Sequence, residues 1–133
     1  MENENRNLLL ILTQRVKNAK MAIKSESNDV LIKQPRREYE TYTYNKKYIS
    51  DAEFGQIVAL FNTIKDYPDV PDEEFVKLIN KKPILFRFLR KLNKRVEDFI
   101  GELREHGIYY VVIRYSKQLK NKEELRSLHT PLP

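Results

Sequence analysis

The chain has 133 residues, a formal net charge of +6 and 41% hydrophobic residues, which suits one domain with a modest core. It contains no cysteine, so disulfides and thiolate metal sites are excluded and a reducing compartment is favoured. Its only amino-terminal apolar run, Leu8 to Leu12, is too short for a signal peptide or a membrane span. We therefore expect a single cytoplasmic domain over residues 1–133 that makes no contact with a membrane.

The amino-terminal third predicts one helix followed by an extended segment. Apolar residues recur at helical spacing over residues 3–24, and a polar break follows at 25–29. In the stretch RREYETYTYNKKY (36–48), tyrosine and threonine alternate with polar residues, which favours an extended backbone. Its tyrosines, set among arginines and lysines, can stack on bases or can pack on the core from an edge strand or loop. Both interpretations stay open.

The middle of the chain predicts two helices with clear start signals. Ser50 and Glu53 form a capping box, and Ile49 and Phe54 hold the positions of a hydrophobic staple around it. Two prolines end that helix. The second of them, Pro71, is followed by three acids that suit a helix amino terminus, so a short helix is expected to about residue 80.

A long amphipathic helix is predicted from Pro83 to Gly107, with glycine as its carboxyl-terminal cap. Its apolar residues share one face. They are Leu85, Phe88, Leu89, Leu92, Val96, Phe99, Ile100 and Leu103. The charged stretch KQLKNKEELRSL beyond residue 116 also predicts a helix, and the tail from about residue 129 is expected to be flexible.

The opposite face of this helix carries a basic stripe. The stripe consists of Arg87, Arg90, Lys91 and Lys94, and it is extended by Lys81, Lys82 and Arg95. No acid occurs between Glu74 and Glu97. Like charges at i, i+3 and i+4 repel, and a phosphate backbone offsets that repulsion by releasing counterions as it binds. The stripe predicts nucleic-acid contact, and a solubilising surface is the alternative.

Catalytic residues are scarce. The two histidines have no carboxylate partner at ligand spacing, and the three isolated glycines cannot form a phosphate loop. Acids cluster around Asp66, Asp69 and residues 72–74, where they can hold Mg²⁺ but also suit a helix start. We expect no enzyme, no metal site and no cofactor.

The segment 108–115, IYYVVIRY, permits two structures. As a strand, which propensity alone slightly favours, it would make the protein an α+β winged helix. As a helix it would be apolar on every side, and it would lie buried or be shared with another subunit.

Three stretches in this order resemble the small helical subunit of type III-A CRISPR effector complexes. They are ISDAEFGQIVALFNTIK (49–65), KKPILFRFLRK (81–91) and IYYVVIRYSK (108–117). Leu89 stands where that family has glycine. The resemblance implies an all-helical bundle without an active site, several copies of which hold the guide–target duplex by its backbone. It also implies that Arg114 and Lys117 join the phosphate contacts.

The expected protein is mainly α, a small bundle of about five helices. Its expected function is that of a non-catalytic small subunit of a CRISPR ribonucleoprotein effector complex, which binds the nucleic-acid backbone without reading sequence. Its expected partners are RNA or a guide–target hybrid (or DNA) and other subunits of the complex, with self-association through Ile108–Tyr115 as a further option. The alternatives are a winged-helix transcriptional regulator and a viral or plasmid-borne inhibitor that binds another protein.

Overall fold

The computed structural model describes the backbone of residues 7–22, 29–34 and 37–129, and the side chains of residues 7–19 and 44–127. Within these ranges it contains five helices and one two-stranded antiparallel hairpin. The elements are α1 (Leu8–Ala22), β1 (Asp29–Gln34), β2 (Arg37–Asn45), α2 (Asp51–Asp66), α3 (Asp72–Asn80), α4 (Pro83–Lys91) and α5 (Val96–His129). The mainly α bundle of about five helices is confirmed. Residues 3–6 and 23–24 of the predicted first helix, the polar break at 25–28 and residues 130–133 of the predicted flexible tail lie outside the described residues.

Side-chain caps start the first two helices. The backbone N–H of Leu10 donates to Asn7 Oδ1 at 3.0 Å, so Asn7 caps α1. The predicted capping box of α2 is present. The N–H of Glu53 donates to Ser50 Oγ at 3.2 Å, and the N–H of Ser50 donates to the Glu53 carboxylate at 2.9 Å.

The predicted extended segment forms the second strand of the hairpin. The two strands pair antiparallel, in a register that places Asp29 opposite Asn45. Tyr44 near the end of β2 is buried, and its ring stacks on Phe54 of α2 with centroids 5.4 Å apart. For this tyrosine the structure supports packing on the core, while the side chains of the tyrosines at 39 and 42 lie outside the described residues.

One hydrophobic core joins all five helices and β2. The helix α2 packs against α1, α4 and α5, while α3 packs against α4 and α5. The largest fully buried side chains are Leu12, Ile49, Ile57, Leu60, Phe75, Ile79, Leu85, Phe88, Leu89, Phe99, Ile100 and Tyr115. Each leucine, isoleucine or phenylalanine in this set contributes about 1.5–3 kcal/mol relative to its exposed state.

The prediction of one continuous helix from Pro83 to Gly107 is wrong. The helix α4 ends at Lys91, and α5 begins at Val96. Two features of the sequence explain the break. An asparagine, the residue that most often replaces glycine in a left-handed helix cap, follows Leu92, and two acids occupy the first turn of α5.

Asn93 ends α4 in a Schellman motif. Its φ is 55°, in the left-handed region. The N–H of Asn93 donates to the carbonyl of Arg90 at 3.0 Å, and the N–H of Lys94 donates to the carbonyl of Leu89 at 2.9 Å. These two bonds satisfy carbonyls that the end of a helix leaves without partners.

Gly107 divides α5 into two helical segments, 96–106 and 108–129. It has φ 84° and ψ 176°, a conformation that is essentially restricted to glycine. The helical conformation therefore breaks at Gly107, where the sequence predicted a helix end, but a second helical segment begins at the next residue.

The alternative of a strand at 108–115 is wrong, because this segment is helical. Val111, Val112 and Tyr115 are fully buried at helical spacing. The two strands β1 and β2 pair with each other, and neither pairs with this segment. The segment is not buried on all sides either. Its exposed aromatic residues are Tyr109 and Tyr110.

Candidate nucleic-acid interface

The solvent-facing side of α4 presents Arg87 and Arg90, which are exposed and lie one turn apart. Pro83 occupies the first turn of this helix, where its fixed φ suits the backbone, and the opposite face is buried. The guanidinium of Arg90 lies 6.0 Å from the ring centroid of Phe86, which is 36% exposed. In the part of the chain that the structure describes, no acidic side chain pairs with either arginine.

The other two cations of the predicted stripe are paired with the protein's own acids. Lys91 Nζ lies 3.2 Å from a carboxylate oxygen of Glu53, and Lys94 Nζ lies 3.0 Å from one of Glu102. The predicted continuous stripe is wrong beyond Lys91, because the helix that would have carried it ends there. The four cations therefore divide into an exposed pair on α4 and two lysines held by ion pairs.

Lys94 belongs to a partly buried cluster with Glu102 and Tyr115. The Tyr115 hydroxyl donates to the second carboxylate oxygen of Glu102, and Lys94 Nζ lies 5.4 Å from the Tyr115 ring centroid. Partial burial by itself would raise the pKa of Glu102, but hydrogen bonds from Tyr115 and Lys94 outweigh it and hold that pKa below its usual value. Burial, followed by the hydrogen bond to Glu102, raises the pKa of Tyr115. This cluster ties the turn after α4 to both segments of α5.

The remaining cations predicted near the stripe have separate surroundings. Lys81 is exposed between α3 and α4. Lys82 Nζ donates to Thr13 Oγ1 of α1 at 2.6 Å, so it links two helices. Arg95 lies 3.6 Å from Glu97, and its side chain is 76% exposed.

Arg114 and Lys117 lie on the exposed side of α5. Arg114 Nη1 donates to the Tyr110 hydroxyl at 3.0 Å. The Tyr110 ring in turn stacks on His106, with centroids 4.1 Å apart. These residues lie on α5, a different helix from the one that carries Arg87 and Arg90.

A groove beside Lys91 brings it together with Lys47 and with two cations that the sequence pattern did not single out, Lys122 and Arg126. It lies between the turn after β2, the end of α4 and the last part of α5, and its volume is about 350 Å³. Its lining residues are Lys47, Tyr48, Lys91, Leu119, Lys122, Glu123 and Arg126. Lys122 Nζ donates to the carbonyl of Lys91 at 2.7 Å. Lysines, glutamates and an arginine are mixed along residues 117–126 of α5, so the sequence could not indicate which of these charges face the rest of the protein.

Among the residues that the structure describes, no three His, Asp or Glu side chains lie together in a way that would hold a metal ion. None of the helices in those residues combines the length and apolar character needed to cross a membrane. No protein-family model, curated protein or solved structure shows significant similarity to this chain.

Proposed function

We propose that this chain is a non-catalytic subunit that binds the phosphate backbone of nucleic acid within a larger assembly. The observation that carries the proposal is the exposed pair Arg87 and Arg90, which no acid of the described residues neutralises. The resemblance of three stretches to the small subunit of type III-A CRISPR effector complexes suggests the assembly. In such a complex the chain would hold the guide or the guide–target duplex.

The chemistry of the α4 surface supports a phosphate ligand. Guanidinium groups bind phosphate oxygens through paired N–H donors, and two arginines one turn apart repel each other until an anion lies between them. Phe86 beside Arg90 adds a partly exposed ring on which a base can stack. Contacts of this kind fix the position of the nucleic acid without reading its sequence.

The proposed contact set is narrower than the basic stripe. Lys94 and Lys82 contact the protein's own side chains and are assigned to its stability. Lys91 stays in the set, because its side chain is 54% exposed although it pairs with Glu53. Arg87 and Arg90 are the central members.

The test compares two double variants of equal net charge. Arg87→Gln with Arg90→Gln removes the proposed contacts, and Lys17→Gln with Lys65→Gln removes two exposed cations from α1 and α2. Binding of labelled single-stranded RNA, RNA–DNA hybrid and duplex DNA is followed by fluorescence anisotropy between about 50 and 200 mM salt. For the single strand, we expect the first variant to reduce the magnitude of the negative slope of log affinity against log salt by about 1.4, while the control variant keeps most of that magnitude.

Tighter binding of single-stranded RNA or the hybrid than of duplex DNA would support the effector subunit. Equal losses in both double variants would contradict an interface centred on α4, and so would a loss confined to one nucleic-acid sequence. Absence of salt-sensitive binding to all three nucleic acids would favour the interpretation in which the basic surface meets an acidic protein.

A further inference from the structure

The groove between the turn after β2 and α5 concentrates positive charge from three parts of the chain. Four of its seven lining residues are lysine or arginine, and one is an acid, Glu123. The lining therefore has a formal charge of +3. Its volume of about 350 Å³ lies at the small end of the range for ligand sites.

The cations of the groove are held in place by contacts that leave them near the solvent. Lys47 Nζ lies 2.7 Å from a carboxylate oxygen of Glu123, and these side chains are 62% and 46% exposed. Lys122 Nζ donates to the carbonyl of Lys91 at the end of α4, where the helix dipole favours a cation. The neighbouring Glu123 raises the pKa of Lys47, through its hydrogen bond and then its charge.

We propose that this groove is a second phosphate-binding site. In the free protein the Glu123 carboxylate occupies the position that a backbone phosphate of single-stranded nucleic acid occupies in the complex. A carboxylate and a phosphodiester are both monoanions whose oxygens accept from lysine. The exposed pair of Lys47 with Glu123 stabilises the protein only slightly, so a phosphate can replace the carboxylate at small cost. The inference rests on the proposed function and extends it to a named site.

The groove continues the surface of α4. Lys91 lines the groove, and it lies one and four residues after Arg90 and Arg87 on the same helix. Residues three or four apart on a helix are neighbours, so a strand that follows the two arginines reaches the groove through Lys91. Tyr48 at its wall, with Lys47 Nζ 5.7 Å from its ring centroid, offers a face for a base.

Two pairs of variants on α5 test the site, because each pair makes the same charge change at neighbouring positions. Glu123→Gln should tighten binding of a short labelled single-stranded RNA about twofold to fivefold, the range of an exposed ion pair, while Glu124→Gln changes it by less than about twofold. Lys122→Gln should weaken binding about twofold to fivefold, and Lys120→Gln should change it by less than about twofold. Thermal unfolding of each variant checks that it is folded.

Equal effects within each pair would overturn the groove site, as would weaker binding by Glu123→Gln. If Arg87→Gln with Arg90→Gln also reduced binding in that case, the proposed function would stand without the groove. No RNA binding by the unmodified chain would overturn both. Inorganic pyrophosphate that binds as tightly as the RNA, with the same dependence on Glu123, would assign the groove to free anions and overturn the nucleic-acid occupant.

Discussion

Two buried tyrosines differ in what their hydroxyl groups contact. The hydroxyl of Tyr115 donates to the carboxylate of Glu102, whereas the buried hydroxyl of Tyr44 has no hydrogen-bond partner among the described residues. A hydrogen bond to a charged group contributes about 1.5–3 kcal/mol, and an unpartnered buried hydroxyl contributes nothing favourable. Replacing either tyrosine by phenylalanine removes only its hydroxyl group, so the effects of the two substitutions on stability can be compared directly.

We expect Tyr115→Phe to lower the free energy of unfolding by about 1.5–3 kcal/mol, because Glu102 loses a donor. Tyr44→Phe should change it by less than about 0.5 kcal/mol or raise it slightly. Urea unfolding followed by circular dichroism measures both. Similar losses in the two variants would show that the hydroxyl of Tyr44 does have a partner in solution.

At the same scale, the sequence indicated which residues are basic but not which of them lack an acidic partner among the described residues. Lys94 falls in the stripe by spacing, yet the turn at Asn93 directs it to Glu102, eight residues further on. Arg87 and Arg90 stay exposed because α4 persists through both positions. The role of a charged side chain thus depended on where the helix ends, and that end is set by Asn93 together with the acids that start α5.

At the scale of elements, the two glycines of α5 have opposite roles. Gly107 holds a backbone conformation that other residues avoid. Gly101 is helical, and an added Cβ there would meet no atom within 4 Å. One glycine is required by its φ, and the other only weakens the helix.

We expect Gly107→Ala to lower the free energy of unfolding by about 1–3 kcal/mol, the cost of forcing a side chain into that region. Gly101→Ala should raise it by about 0.5–1 kcal/mol. Thermal unfolding of the two variants provides the measurement. An increase for Gly107→Ala as well would mean that α5 runs straight through residue 107 in solution.

Local signals predicted the starts of helices better than their ends. The capping box at Ser50 and the acids after Pro71 marked α2 and α3, since each acts within one turn. The segment 108–115 could not be assigned in the same way. Its residue types favour a strand, and what makes it helical is packing of Val111, Val112 and Tyr115 against distant elements.

At the scale of the whole molecule, α5 continues past the core. Leu119 still packs against the core, whereas all side chains from 120 to 127 are exposed. The shared core of the five helices therefore does not depend on this last stretch.

A chain shortened after Asn121 should keep cooperative unfolding and lose less than about 1 kcal/mol, because the described side chains of the removed part, 122–127, are all exposed. It should also bind single-stranded RNA more weakly, because Lys122 and Arg126 leave the groove. Urea unfolding and anisotropy are measured on the same preparation. A shortened chain that no longer unfolds cooperatively would mean that this stretch is part of the folded body.

Helical periodicity predicted most of the helices, and the resemblance to a helical family favoured the helix at 108–115, but neither predicted the groove. Its walls come from Lys47, Lys91 and Lys122, which are far apart in sequence and meet only because β2 and α4 both contact α5. Periodicity along the sequence can reveal a surface that lies on one helix. A surface built from three elements depends on tertiary packing, which periodicity does not show.

The contact between Lys94 and Glu102 affects how substitutions of the basic residues appear in living cells. Neutralising Lys94 removes the partner of a partly buried acid, so we expect it to lower the amount of folded protein. Arg87 is exposed and pairs with no acid of the described residues, so we expect its neutralisation to leave that amount unchanged and, under the proposed function, to weaken only nucleic-acid binding. A growth defect alone would not separate these two effects, whereas the amount of folded protein would.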